Sequence, residues 1–101
     1  MTEKTKGQME AQISEAIIKF EKEYMGRGPK ETRTYIMDDI VFIRLKGVLT
    51  PAEEQLSKSA EGAELIKRIR VQLIENARGL LENIVRELTG CPVKLRYQKL
   101  C

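Results

Sequence analysis

The sequence predicts an α+β chain in the order α-β-β-α-α-β, and three stretches predict it. Residues 59–90 carry Leu65, Ile66, Ile69, Leu73, Ile74, Ala77, Leu80, Leu81, Ile84, Val85 and Leu88. Spacings of three and four put these side chains on one broad helical stripe. Residues 32–45 are dominated by Thr, Tyr, Ile, Val and Phe around a central Asp38-Asp39, the composition of a β-hairpin. Val93, Leu95 and Tyr97 alternate with Lys94, Arg96 and Gln98, which reads as a third strand. The expected architecture is a small antiparallel sheet, hairpin plus C-terminal strand, with an N-terminal helix and the long helix on one face.

The remaining elements follow in chain order. Residues 5–25 read as the first helix, with Met9, Ile13, Ala16, Ile17, Phe20 and Tyr24 on the core side. Glu10, Gln12, Glu15, Lys19, Glu21 and Lys22 are expected on the other side. Gly26-Arg27-Gly28-Pro29-Lys30 ends it: Gly26 suits a left-handed cap and Pro29 blocks continuation. Two readings of this stretch stand open. It is a tight connection, or its glycine-freed amides with Arg27 and Lys30 hold an anion.

In the hairpin, a loop at Asp38-Asp39 sets Met37 opposite Ile40 and Ile36 opposite Val41. One face then carries Thr32, Thr34, Ile36, Val41, Ile43 and Leu45, and should meet the helices. The other carries Arg33, Tyr35, Met37, Ile40, Phe42 and Arg44, a mixed surface that another chain or a ligand can cover. Thr50, Pro51 and Glu53 form a strong helix start, with Leu56 as the anchor of a short helix. Ser59 caps the long helix, within which Gly79 marks close packing against the first helix. Gly90 and Pro92 end it.

The 101 residues bound the chain to one domain, 1–101. An apolar fraction of 42% supports a modest core, and small domains often gain from oligomerisation. The net charge of +3 sits on a chain that is 33% charged, which fits a mixed-sign soluble surface first and gives weak support to a polyanion partner. No run approaches the ~18 apolar residues of a membrane span. The N-terminal segment lacks an apolar signal core, and a cytoplasmic location is expected. Cys91 and Cys101 lack Cys-x-x-Cys spacing and read as free thiols in a reducing compartment.

Catalytic groups are sparse. The chain has no histidine, which removes the commonest general base and metal ligand. Two cysteines cannot build a structural zinc site, and Ser14, Ser57 and Ser59 have no candidate base beside them. Neither catalytic, metal nor cofactor residues are assigned, and a non-enzymatic interaction protein is expected. Arg27, Lys30, Arg33, Arg44, Lys94 and Arg96 are the candidate anion or partner contacts. Tyr35, Phe42, Leu65, Ile69, Leu73, Leu81 and Leu88 are the candidate oligomer interface.

Three stretches carry a family resemblance: residues 11–29 through Gly26-Arg27-Gly28-Pro29, residues 45–53 with Leu49-Thr50-Pro51, and the segment through Glu87-Leu88-Thr89-Gly90-Cys91. Over roughly residues 7–91 the chain resembles the MpsC family. This small bacterial family, formerly a domain of unknown function, is named for a component of a sodium-translocating, membrane-potential-generating system. The resemblance implies a non-enzymatic accessory protein of membrane bioenergetics or bicarbonate supply, and it implies no active site. The family pattern continues after Thr-Gly-Cys into a strand with a His and an Asp-Ile-Ser, then a strand with Gly-Glu. Here residues 92–101 read PVKLRYQKLC, so the C-terminal part is expected to be truncated or diverged, with a sheet edge uncovered. A homo-oligomer follows, a dimer first, with partners in a membrane complex placing the protein at the inner membrane. The alternatives are nucleic-acid binding through the basic sheet face, tested by the salt dependence of binding, and a dimeric signalling or adaptor module, separated from the accessory reading by whether pulldown recovers a membrane-complex subunit.

Overall fold

The computed structural model describes residues 5–96. The chain is α+β and separates into two compact units, divided between Val48 and Leu49.

In the first unit, α1 spans Lys6–Tyr24. A capping box starts it: the Gln8 amide donates to Thr5 Oγ1 at 3.1 Å, and the Thr5 amide donates to Gln8 Oε1 at 2.9 Å. Gly26 follows at φ +88°, the left-handed conformation that ends a helix cheaply only at glycine. Strands β1, Glu31–Met37, and β2, Ile40–Lys46, pair antiparallel. The register is the expected one, Met37 opposite Ile40 and Ile36 opposite Val41. Asp38 takes φ +53° in the two-residue loop, which a short polar side chain tolerates.

Helix α1 packs on β1. Ser14 Oγ lies 2.8 Å from Thr34 Oγ1, and the Ile36 amide donates to Glu10 Oε2 at 2.7 Å. That carboxylate gives a strand amide a partner outside the two-stranded sheet. The faces alternate as the pattern requires. Thr34 is buried, and Thr32, Ile36, Val41, Ile43 and Leu45 are half-buried; Arg33, Tyr35, Met37, Ile40, Phe42 and Arg44 are exposed.

Two assignments on α1 are corrected. Glu21, expected among the solvent-side residues, is 1% exposed. Tyr24, expected in the core, is 42% exposed and stacks on Phe20 with ring centroids 5.1 Å apart. Being the last helical residue, it overhangs the end of the packed face.

The second unit holds α2, Pro51–Leu56; α3, Ala60–Asn76; and α4, Arg78–Thr89. The Thr50 and Glu53 capping box is formed, with amide-to-side-chain distances of 2.8 and 3.2 Å. Leu56 is not a buried anchor but 45% exposed. The junction is made instead by backbone: a Cβ on Gly62 would lie 1.9 Å from the Leu56 carbonyl oxygen. Ser59 caps α3, accepting from the Gly62 amide at 3.0 Å.

The single long helix is also corrected. It is interrupted at Ala77, whose φ and ψ of −98° and 7° leave the helical region. The buried stripe runs through the break in phase, as Ile66, Arg70, Ile74, Ala77, Leu81 and Val85. Side-chain periodicity therefore could not reveal it. Gly79 has open space around it rather than close packing.

The third strand is absent among the described residues, where the sheet has two strands. Residues 92–96 are irregular and are held by α4. The Leu95 amide donates to Glu82 Oε2 at 2.7 Å, and the Leu95 carbonyl accepts from Arg78 Nη1 at 2.5 Å. Both backbone groups of Leu95 are thus engaged by helix side chains, and Pro92 has no amide to donate, which takes these two residues out of ladder pairing. Tyr97, Gln98 and Cys101 lie outside the described residues; Cys91 is exposed with a free thiol.

Candidate functional site

The candidate site is the outward face of the hairpin, and alternation along two strands builds it. Four cross-strand rows lie on it: Glu31–Lys46, Arg33–Arg44, Tyr35–Phe42 and Met37–Ile40. The first two are charged and the last two are apolar, so the face grades from a polar open end to an apolar closed end.

Arg33 and Arg44 stand directly opposite each other, a destabilising pairing unless an anion intervenes. Glu31 supplies part of that anion. Arg33 Nε donates to its Oε1 at 2.7 Å, and Lys46 Nζ lies 3.7 Å from Oε2. The hydrogen bond from Arg33 holds the Glu31 carboxyl below the usual carboxylate range, with the charges of Arg33, Lys46 and Arg44 acting in the same direction. Glu31 thus serves Arg33 and Lys46; Arg44 has no carboxylate at ion-pair distance among the described residues. An open hollow of about 180 Å³ lies here, lined by Glu31, Arg33, Tyr35, Arg44 and Lys46.

Above the arginines, Tyr35 and Phe42 form a tilted ring pair with centroids 6.3 Å apart. Met37 and Ile40 are 51% and 56% exposed, leaving an apolar cap beside the turn.

A stability consequence follows from Glu31. Its folded-state pKa is depressed, so its contribution is present above the unfolded value and lost as pH falls through the folded one. Glu31→Gln is expected to lower the melting temperature slightly at pH 7 and to approach the wild type as the pH falls below the ordinary carboxylate range. Thermal melts monitored by circular dichroism across that range check it.

The other candidates are dispersed. In the connection from Gly26 to Lys30 the Arg27 amide donates to the Glu21 carbonyl at 3.3 Å, so that amide is already used within the loop. The Lys22 stem covers Gly28, and the Lys30 stem covers Gly47, whose φ is +67°. The Lys30 amide also donates to the Lys46 carbonyl at 2.8 Å, which ties the loop to the open end of the hairpin. Lys94 and Arg96 are exposed on the irregular tail, so the shared strand face expected for them is not formed. Leu65 and Ile69 are exposed on α3, and Leu73 and Leu88 are half-buried. Leu81 is 6% exposed and belongs to the core, which removes it from any surface. Sequence reasoning missed Glu10 and Arg78. Both are ordinary members of charged helix faces, and only the fold shows that they hold backbone groups.

Among the described residues, no three His, Cys, Asp or Glu side chains gather where a metal ion could be held. No helix there is long and apolar enough to cross a membrane.

These features define a small α+β protein built on a hairpin that is packed on one face and open on the other. Residues 5–99 match the family model described as Na+-translocating membrane potential-generating system (MpsC). The chain belongs to the MpsC family. It is 42% identical over 91 residues to uncharacterized protein YbcI of Bacillus subtilis, covering 90% of this chain and 73% of that protein. It is 28% identical over 65 residues to uncharacterized protein YrhF of the same organism, covering 64% of this chain and 53% of that one. No solved structure matches the chain.

Proposed function

We propose that this protein is a non-catalytic accessory component that works by docking other proteins on the open face of its hairpin. The observation that carries the reading is the face itself. Two aromatic rings, two half-exposed aliphatic side chains and an arginine pair share seven-residue strands whose opposite face packs inward. Aromatic residues, Met and Arg are the types enriched where proteins bind one another. The family description supports a place beside a sodium-translocating, membrane-potential-generating system. In that setting the protein is cytoplasmic and reaches the membrane through its partners.

The nucleic-acid alternative is weaker on the same face. Glu31 occupies Arg33 and Lys46, and the expected contribution of Lys94 and Arg96 to the sheet is missing.

The test is affinity capture from detergent-solubilised membranes of the cells that make the protein, followed by mass spectrometry. The wild type is expected to retain subunits of an ion-translocating complex. Ile40→Lys, which places a charge at a residue 56% exposed, is expected to retain at least about tenfold less while keeping its circular dichroism spectrum. Equal capture by both forms, or capture of no membrane-complex subunit, contradicts the reading.

A further inference from the structure

We propose that the open hairpin face pairs with the same face of a second copy of this chain, about a twofold axis crossing the Tyr35–Phe42 row. The inference rests on the reading of this face as a docking surface and names the occupant it takes when no other protein is bound there. Charge supplies the argument. Among the described residues, Asp38 and Asp39 at the closed end have no cation at ion-pair distance, and Arg44 toward the open end shares the field of Glu31 with Arg33 and Lys46 but has no carboxylate at ion-pair distance, so the open end keeps an excess of positive charge. One face thus ends in unmatched charge of one sign and begins in unmatched charge of the other, with an apolar band between.

Only one way of stacking two such faces matches them. Two rows are separated by about 7 Å along a strand. Rotation about an axis that reverses strand direction brings each Tyr35–Phe42 row onto its own copy. The Arg33–Arg44 row then lies over the partner's Met37–Ile40 row and the Glu31–Lys46 row over the partner's turn, so an open end of three cations and one carboxylate meets Asp38 and Asp39. The same contact recurs at the other end, because a twofold interface uses each patch twice. The parallel alternative stacks arginine on arginine and aspartate on aspartate, which charge repulsion opposes.

A face two strands wide and seven residues long measures about 10 Å by 24 Å, smaller than a standard interface. The association is therefore weak, with a dissociation constant of about 100 µM.

Sedimentation velocity on the full chain tests this with two charge-altered variants. Arg44→Glu with Lys46→Glu makes the open end acidic. Asp38→Asn with Asp39→Lys makes the turn basic while keeping a residue that tolerates the positive φ of position 38. Each variant alone is expected to self-associate at least about tenfold more weakly than the wild type. An equimolar mixture is expected to recover association, since its two faces are again complementary.

A measurement needing no substitution runs beside it. Raising salt from about 50 mM to about 500 mM should weaken wild-type dimerisation several-fold, because added ions screen the end charges. Pairing through the Leu65 and Ile69 stripe would hold or tighten instead.

The proposal is overturned by a wild type that stays monomeric at about 1 mM, tenfold above the expected constant. It is overturned equally by variants that dimerise like the wild type, or by a mixture that recovers nothing. Any of these results, alongside Ile40-sensitive capture of another protein, leaves the docking face standing with a different occupant. Loss of both removes the face as well.

Discussion

Replacing Gly62 with alanine is expected to destabilise the α2–α3 unit by at least about 2 kcal/mol, although a methyl group inside a helix normally helps. The reason is local and geometric. The added Cβ would sit 1.9 Å from the Leu56 carbonyl oxygen and 2.8 Å from its carbon. Both atoms are backbone, so the contact cannot be relieved by a rotamer change. Either α2 moves away from α3, or the Ser59 cap that receives the Gly62 amide is lost. Gly79→Ala is the matched control. It lies within α4, its Cβ would meet nothing within 4 Å, and it should stabilise by about 0.5–1 kcal/mol. Thermal melts of the two variants should move in opposite directions from the wild type. For a domain of this size the Gly62→Ala shift is about −10 °C. Equal or same-direction shifts would show that the α2–α3 junction is looser than described.

Ile13→Ala has the second large effect. Ile13 is 0% exposed on α1, one turn from Ile17 and Glu10 and next to Ser14. Truncating a fully buried isoleucine costs about 2–5 kcal/mol through lost burial and the cavity left behind. A small domain has a total stability of about 5–15 kcal/mol. The variant should therefore melt far below the wild type, and hydrogen exchange should report weakened protection in β1, where Ser14 and Glu10 meet Thr34 and Ile36. Leu80→Ala, at a residue 51% exposed, should change stability by less than about 1 kcal/mol. A cost at Ile13 no larger than that at Leu80 would contradict the packing of α1.

The hairpin was the most legible part of the chain. Alternation over seven residues and a two-aspartate loop dictate both register and facing, because a one-residue slip would turn every side chain to the wrong side. Capping residues were equally readable at Thr50, Ser59 and Gly90, where local chemistry acts within three or four positions.

What was not legible depended on distance along the chain. The Ala77 interruption leaves the apolar stripe in phase, so no periodicity records it. The last strand pattern, Val93 to Tyr97, alternates well, yet Arg78 and Glu82 engage Leu95, thirteen or more residues from either. Glu21 looks like a surface residue in sequence, and its burial is a tertiary fact. The candidate face was readable as a pattern because its residues share two adjacent strands. Lys94 and Arg96 were assigned to it only through a third strand, which is absent among the described residues.

Site-specific photocrosslinking tests the docking face most directly. A photoreactive phenylalanine analogue at Phe42 replaces one aromatic with another at a residue 37% exposed, and the same analogue at Leu80 of α4 serves as the reference. Irradiated in the cells that make the protein, the Phe42 position is expected to give discrete adducts, whose masses separate a second copy of this chain from a membrane-complex subunit. The Leu80 position is expected to give none. Adducts at Leu80 with none at Phe42 would contradict the hairpin face as the surface through which this protein acts.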